Sequence, residues 1–282
     1  MKNFWVRTAS ATVYAVLFLG SIYASQLLGN KLAGGLIFTA FLLFVTCGCT
    51  FEFFRIVGKQ GAVPCKWLGY VYAVAALLSL SGLVLNQEIG GFRLFGIAMT
   101  LLPICFALAA IIQLWNHSEQ PFRDAAYTMV PMLYVAMPLG LMPLLHESYN
   151  VLVMLIIMVW VNDSAAYMGG SWWGKHKMWP RHSPGKTWEG TAIGVLVTLA
   201  LAYFVGPLFN DHIAWYHWLV LGLICSVVDT LGDLVESMLK RSVGLKDSGN
   251  IMPGHGGFLD RFDSLLVIIP FAFVYLTLFV QP

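Results

Sequence analysis

The chain has 282 residues, 59% of them hydrophobic and 11% charged, with a mean hydropathy of +0.75 and a formal net charge of +2. These values exclude a disordered chain and a soluble globular enzyme of this size, and they place the protein among integral membrane proteins. A net charge so close to zero gives no reason to expect a nucleic-acid partner.

In chain order, nine apolar runs of spanning length are read, at about 8–28, 34–56, 67–86, 94–115, 125–145, 148–170, 190–209, 215–238 and 263–280. Each is close to the ~20 residues that a bilayer requires. The runs are solid rather than alternating, which argues helices and not barrel strands. The predicted fold is therefore all-α, a polytopic integral membrane helical bundle of about nine transmembrane helices. The first run follows Lys2 and Arg7 and resembles a signal peptide, but its length predicts an uncleaved span. Glu52 and Arg55 close the second run and are expected at the interface. The fifth and sixth runs are separated by few residues and predict a tight helical hairpin. Four of the five cysteines lie within apolar runs. Their spacing offers neither a disulfide framework nor a zinc site, so they read as small buried residues.

With nine spans, 14 of the 16 Lys and Arg residues fall on the side of the N-terminus, and only Lys31 and Arg93 fall on the other. The positive-inside rule makes the N-terminus cytoplasmic and the C-terminus external. Residues 1–145 form an N-terminal transmembrane region of about five spans. Residues 146–282 form a catalytic transmembrane region with two cytoplasmic loops, 171–189 and 239–262. No internal repeat or separate soluble domain is visible.

Chemistry is concentrated near the C-terminus. Asp229, Asp233, Glu236 and Lys240 are spaced four, three and four apart, a single helical stripe. An intramembrane carboxylate is a functional candidate by default, although a polar contact between helices also explains one. Lys240, Arg241 and Lys246 follow, and the positive-inside rule alone would place cations there. Gly254-His255-Gly256-Gly257 then lies just before the ninth helix, whose free N–H groups and positive end favour an anion. Asp260 and Asp263, at i and i+3, start that helix. N-capping accounts for one such Asp. Three carboxylates facing a phosphate would need a hard cation between them, and Mg²⁺ is the usual one. Upstream, Asn162-Asp163 precedes Gly174-Lys175 and Ser183-Pro-Gly-Lys186-Thr187-Trp188-Glu189. This is no P-loop, because the first glycine and the preceding strand are missing. A basic loop of this kind could still hold a nucleotide. Trp188 is equally an interfacial anchor.

The run from Ser237 through Lys240-Arg241, Lys246-Asp247, Pro253-Gly-His255-Gly256-Gly257 and Asp260-Arg261-Phe-Asp263 resembles the signature of the phosphatidate cytidylyltransferases, or CDP-diacylglycerol synthases. Asp163-x-x-Ala-Tyr167 and Ser183-Pro-x-Lys-Thr-x-Glu-Gly190 also resemble motifs of that family. The likeness is strong over about 155–270. The N-terminal half matches only as a set of hydrophobic spans. The resemblance implies transfer of CMP from CTP to phosphatidic acid at the cytoplasmic face of the inner membrane, with Mg²⁺ as cofactor and a homodimer as a known family state. On its motif positions, Lys240, Arg241, Lys246, Asp247, His255 and Arg261 are expected to be catalytic. Asp163, Ser183, Lys186, Thr187, Glu189, Ser237, Gly256 and Gly257 are expected to bind substrate. Asp233, Asp260 and Asp263 are expected to bind metal, with the part played by Asp229 open. A CTP-dependent lipid kinase is the enzymatic alternative. A transporter is the other, but it would place polar groups at mid-membrane and often repeat its halves.

Overall fold

The computed structural model describes residues 2–81, 91–116, 118–145, 149–249, 251 and 256–280. Their elements in order are α1 (Lys2–Ile22), α2 (Ala24–Leu28), α3 (Lys31–Gly58), α4 (Lys66–Leu80), α5 (Gly91–Ile112), α6 (Pro121–Val130), a π-turn (Pro131–Ala136), α7 (Met137–Leu145), α8 (Tyr149–Trp173), β1 (Lys177–Trp179), β2 (Ser183–Thr187), α9 (Trp188–Phe209), α10 (Trp215–Arg241) and α11 (Leu259–Phe279). Six helical stretches among the described residues are long and apolar enough to cross a membrane: Lys31–Gly58, Pro121–Leu145, Tyr149–Trp173, Trp188–Phe209, Trp215–Arg241 and Leu259–Phe279. The other three predicted runs carry shorter apolar helices, at Thr12–Ile22, Lys66–Leu80 and Leu102–Ile112.

The chain divides into two compact units. The first combines Met1–Leu144 with Ser242–Arg261, and the second combines Leu145–Arg241 with Phe262–Pro282. The loop after α10, expected with the C-terminal region, thus packs into the first unit. In that unit α3 starts at Asn30, whose side chain accepts from Ala33 N (3.1 Å), and its buried face carries Phe38, Leu42, Val45, Cys49 and Phe53. A buried polar knot fixes the α3–α4 turn. Asp124 is fully buried and accepts from Val63 N (3.0 Å), Ser118 Oγ (2.6 Å) and Arg123 Nε (3.1 Å). Those donors are what make a buried carboxylate tolerable.

In the second unit α9 packs on α8 and α10 along a stripe of small residues, Gly190, Gly194, Thr198, Ala202 and Gly206. The period of four puts them on one face, and the missing side chains let the backbones close in. A Cβ on Gly194 would lie 2.7 Å from Asn162 Oδ1, and one on Gly206 would lie 2.6 Å from the Trp218 ring. Large apolar residues such as Leu196, Phe204 and Leu208 cover the opposite, exposed face of α9. The one departure from an all-α plan among the described residues is the antiparallel hairpin β1–β2, which pairs Lys177 with Thr187 and Trp179 with Ser183.

Candidate active site

In the second unit, a cleft of about 500 Å³ opens between α8, the hairpin and α10. Asn162, Asp163 and Tyr167 line it from α8, Ser183 and Lys186 from β2, and Thr230 and Asp233 from α10. The hairpin owes its position to two junctions. Thr187 ends β2 in an extended conformation (φ −129°, ψ 150°), and its side chain caps α9 by accepting from Gly190 N at 3.2 Å. Glu189, in the first turn of α9, accepts from the backbone of Lys175 (3.1 Å) and His176 (3.1 Å) and contacts the His176 ring. A carboxylate at a helix N-terminus is favourable in its own right, so Glu189 braces the loop and does not face the cleft.

Lys186 is the central cation. Its Nζ donates to Thr230 O (3.1 Å) and forms an ion pair with Asp233 Oδ2 (2.7 Å). Ser237, one turn along α10, donates to Asp233 Oδ1 at 3.3 Å. Arg241 Nε donates to His182 O (3.3 Å), a second tie between α10 and the hairpin. Deeper in the unit, Asn162 and Asp229 are both buried. Asn162 Nδ2 donates to Asp229 Oδ2 (2.5 Å), and Thr198 Oγ1 donates to Asn162 Oδ1 (3.4 Å). Asp229 therefore belongs to an internal hydrogen-bond chain.

Ligand oxygens of Asp233, Glu236 and Asp263 all lie within 4.8 Å of one another. The stripe read from the sequence is thus real, and Glu236 joins the carboxylates expected there. Glu236 is fully buried and forms an ion pair with Lys240. Lys240, expected to touch substrate, is itself buried on that partner. Asp260 has a different setting, in the first unit. Its Oδ2 accepts from Ser248 N (2.9 Å) and Gly257 N (2.8 Å) and lies 2.9 Å from Ser248 Oγ.

The expected anion cradle at the start of α11 is corrected by these contacts. Gly257 N–H is committed to Asp260, and the N–H groups of Phe258 and Leu259 donate to Glu52 (3.0 and 2.9 Å). The protein's own carboxylates fill the place proposed for phosphate at Gly257. Gly256 stands beside it with φ 82°, and a Cβ there would strike the Asp260 side chain. Lys246, Asp247 and Arg261 are exposed. His255, with its neighbours from 252, lies outside the described residues. Sequence reasoning missed Lys177 and Thr230 on the wall of the cleft, and it missed the grip of Glu52.

Residues 5–279 match the family model described as "Cytidylyltransferase family". The chain belongs to the cytidylyltransferase family. It is 33% identical over 277 residues to a phosphatidate cytidylyltransferase of Staphylococcus aureus (strain COL), covering 94% of this chain and 96% of the relative. A phosphatidate cytidylyltransferase of Staphylococcus saprophyticus is 32% identical over 269 residues, with the same coverage. That of Bacillus subtilis (strain 168) is 49% identical over 123 residues, 44% of this chain. Cytidylyltransferase membership therefore extends through the N-terminal half, which the motifs left unmarked. Glu52 and its face of α3 belong to that half.

Proposed function

We propose that the chain transfers CMP from CTP to phosphatidic acid, giving CDP-diacylglycerol and pyrophosphate. The cleft around Lys186 and Asp233 carries this reading: it sets a cation and a carboxylate cluster beside a space of nucleotide size, on the family's own motif residues. A phosphate oxygen of the lipid attacks the α-phosphorus of CTP, a P–O bond forms, and the bond to the β-phosphate oxygen breaks. No proton need move, because both nucleophile and leaving group are anions. The protein's part is positioning and charge neutralisation. Lys186 offers its ammonium to the nucleotide phosphates from β2, with Ser183 beside it on the wall. Arg241, tied to the hairpin in the same unit, supplies a further cation of the kind that phosphate oxygens need.

Mg²⁺ is part of the proposal. Asp233, Glu236 and Asp263 fit it, since three carboxylates with oxygens this close repel one another unless cations intervene. A bound Mg²⁺ would neutralise the phosphates and stabilise the leaving pyrophosphate. Asp260, proposed from sequence as a further ligand, is held in the first unit by the backbone N–H groups of Ser248 and Gly257. The family resemblance extends the proposal to a homodimer.

Labelled CTP tests the reaction. With phosphatidic acid in mixed micelles, label at the α-phosphate is expected in the lipid product, and label at the γ-phosphate is expected in pyrophosphate. Label from the γ-position in lipid would instead make the protein a kinase. Neither label in lipid would leave the transporter reading.

The orientation belongs to the same proposal: inner membrane, N-terminus and the 239–262 loop cytoplasmic. It is supported by the 14 cations gathered on one side. A cysteine introduced at exposed Lys246 should resist an impermeant thiol reagent on intact cells and react after permeabilisation. Ready labelling of intact cells would invert the topology.

A further inference from the structure

Glu52 is fully buried near the end of α3, where an ionised carboxylate is costly unless donors surround it. Its hydrogen-bond donors lie on both sides of one distant loop. Ser248 Oγ donates to Oε2 at 2.7 Å, Phe258 N to Oε1 at 3.0 Å and Leu259 N to Oε2 at 2.9 Å. Arg55, one turn on, donates from Nη2 to Ser248 O at 3.2 Å. Phe44 meets the Phe258 ring edge to face, with centroids 5.2 Å apart, and that ring fills the space where Gly48 lacks a Cβ. Phe44, Gly48, Glu52 and Arg55 are spaced four, four and three apart, so one face of α3 receives Ser248, Phe258 and Leu259.

The segment is shaped to match. A Cβ on Gly249 or on Gly257 would run into the Glu52 carboxylate. These two signature glycines therefore make room for an internal anion. Ser248 serves both carboxylates, its hydroxyl donating to Glu52 and its backbone N–H to Asp260 Oδ2 at 2.9 Å.

We propose that Glu52 is a positioning residue for CMP transfer: from α3 it fixes Ser248, Phe258 and Leu259, and with them Lys246, Asp247 and Asp260 beside them in sequence. Arg55 holds the same serine by its carbonyl. Lys246, Asp247 and Asp260 owe their placement to this grip. The inference rests on the functional reading above, because only that reading gives the segment a reaction to serve.

The test compares Glu52→Gln with the unsubstituted protein in detergent. Glutamine keeps the shape and replaces a charged acceptor with a neutral one. Hydrogen exchange of the peptide Lys246–Leu259 should quicken about tenfold or more at Phe258 and Leu259, because charge-assisted bonds are the stronger kind. CDP-diacylglycerol turnover should fall on the order of 10²-fold in kcat, the usual cost of a small misplacement. KM for CTP should stay near the unsubstituted value, and kcat is referred to the monodisperse folded fraction, because a loss of folded protein would also lower apparent turnover at constant KM. Unchanged exchange, or quickened exchange with unchanged kcat, overturns the proposal. Should Glu52→Gln fail to fold, Ser248→Ala breaks the link without touching the buried charge. It should quicken exchange at its own amide and lower kcat, and wild-type kcat there overturns the proposal equally. If the unsubstituted protein makes no CDP-diacylglycerol, the functional reading fails and takes this proposal with it, while the exchange result still reports whether Glu52 holds the loop.

Discussion

Asp233→Asn is expected to cut CDP-diacylglycerol formation by about 10²–10³-fold, the range seen when one electrostatic stabiliser of a developing charge is removed. Asp233 stands at a junction of three contacts. It pairs with Lys186, accepts from Ser237 and belongs to the cluster with Glu236 and Asp263. Asparagine keeps the size and can still accept from Ser237, so folding and insertion should survive. The pair with Lys186 is partly exposed, at 31% for Asp233 and 22% for Lys186, and is worth little to stability because solvent screens it. The loss should therefore appear in turnover and not in yield or melting temperature. Raising Mg²⁺ should recover part of the activity if the carboxylate holds the ion. Near-normal turnover at ordinary Mg²⁺ would remove Asp233 from the reaction.

The second large effect is expected at Lys186. Replacing it with methionine keeps the stem and removes the ammonium, together with its bonds to Thr230 O and Asp233. A hydrogen bond to a charged group contributes about 1.5–3 kcal/mol, so kcat/KM should fall roughly 10- to 150-fold. Because the two residues touch, the double variant Lys186→Met with Asp233→Asn should lose less than the product of the single losses. Fully multiplicative losses would show that the pair does not act as a unit. Arginine is not expected to restore the enzyme, since a planar fork cannot replace a point charge fitted to both a carbonyl and a carboxylate.

The two variants also show where the sequence was sufficient. Asp233 and Glu236 were legible because a helix makes spacings of three and four into neighbours, and α10 is long and regular. Lys186 was legible as a cation in a glycine-containing loop, but not as the last cation of a strand. In Ser-Pro-Gly-Lys-Thr only the threonine favours a strand, and the hairpin is pinned at its ends by Thr187 and Glu189. Asp260 and Asp263 could not be told apart, being alike at i and i+3 on one helix start. What separates them is Ser248 and Gly257, whose donors turn to Asp260. Glu52 was illegible for a different reason. A lone carboxylate near the end of an apolar run looks like an interfacial residue, and its first partner lies 196 positions away.

That separation has a consequence for biosynthesis. At 5–20 residues per second, a ribosome needs roughly 10–40 s to travel from Glu52 to Ser248. Throughout that interval α3 is present while the donors for its buried carboxylate have not been made. The N-terminal unit is thus among the first parts translated and among the last completed, since it closes only when Ser242–Arg261 returns to it. A nascent chain stalled before that point carries an acidic group near the end of an apolar helix without the donors that the finished fold supplies.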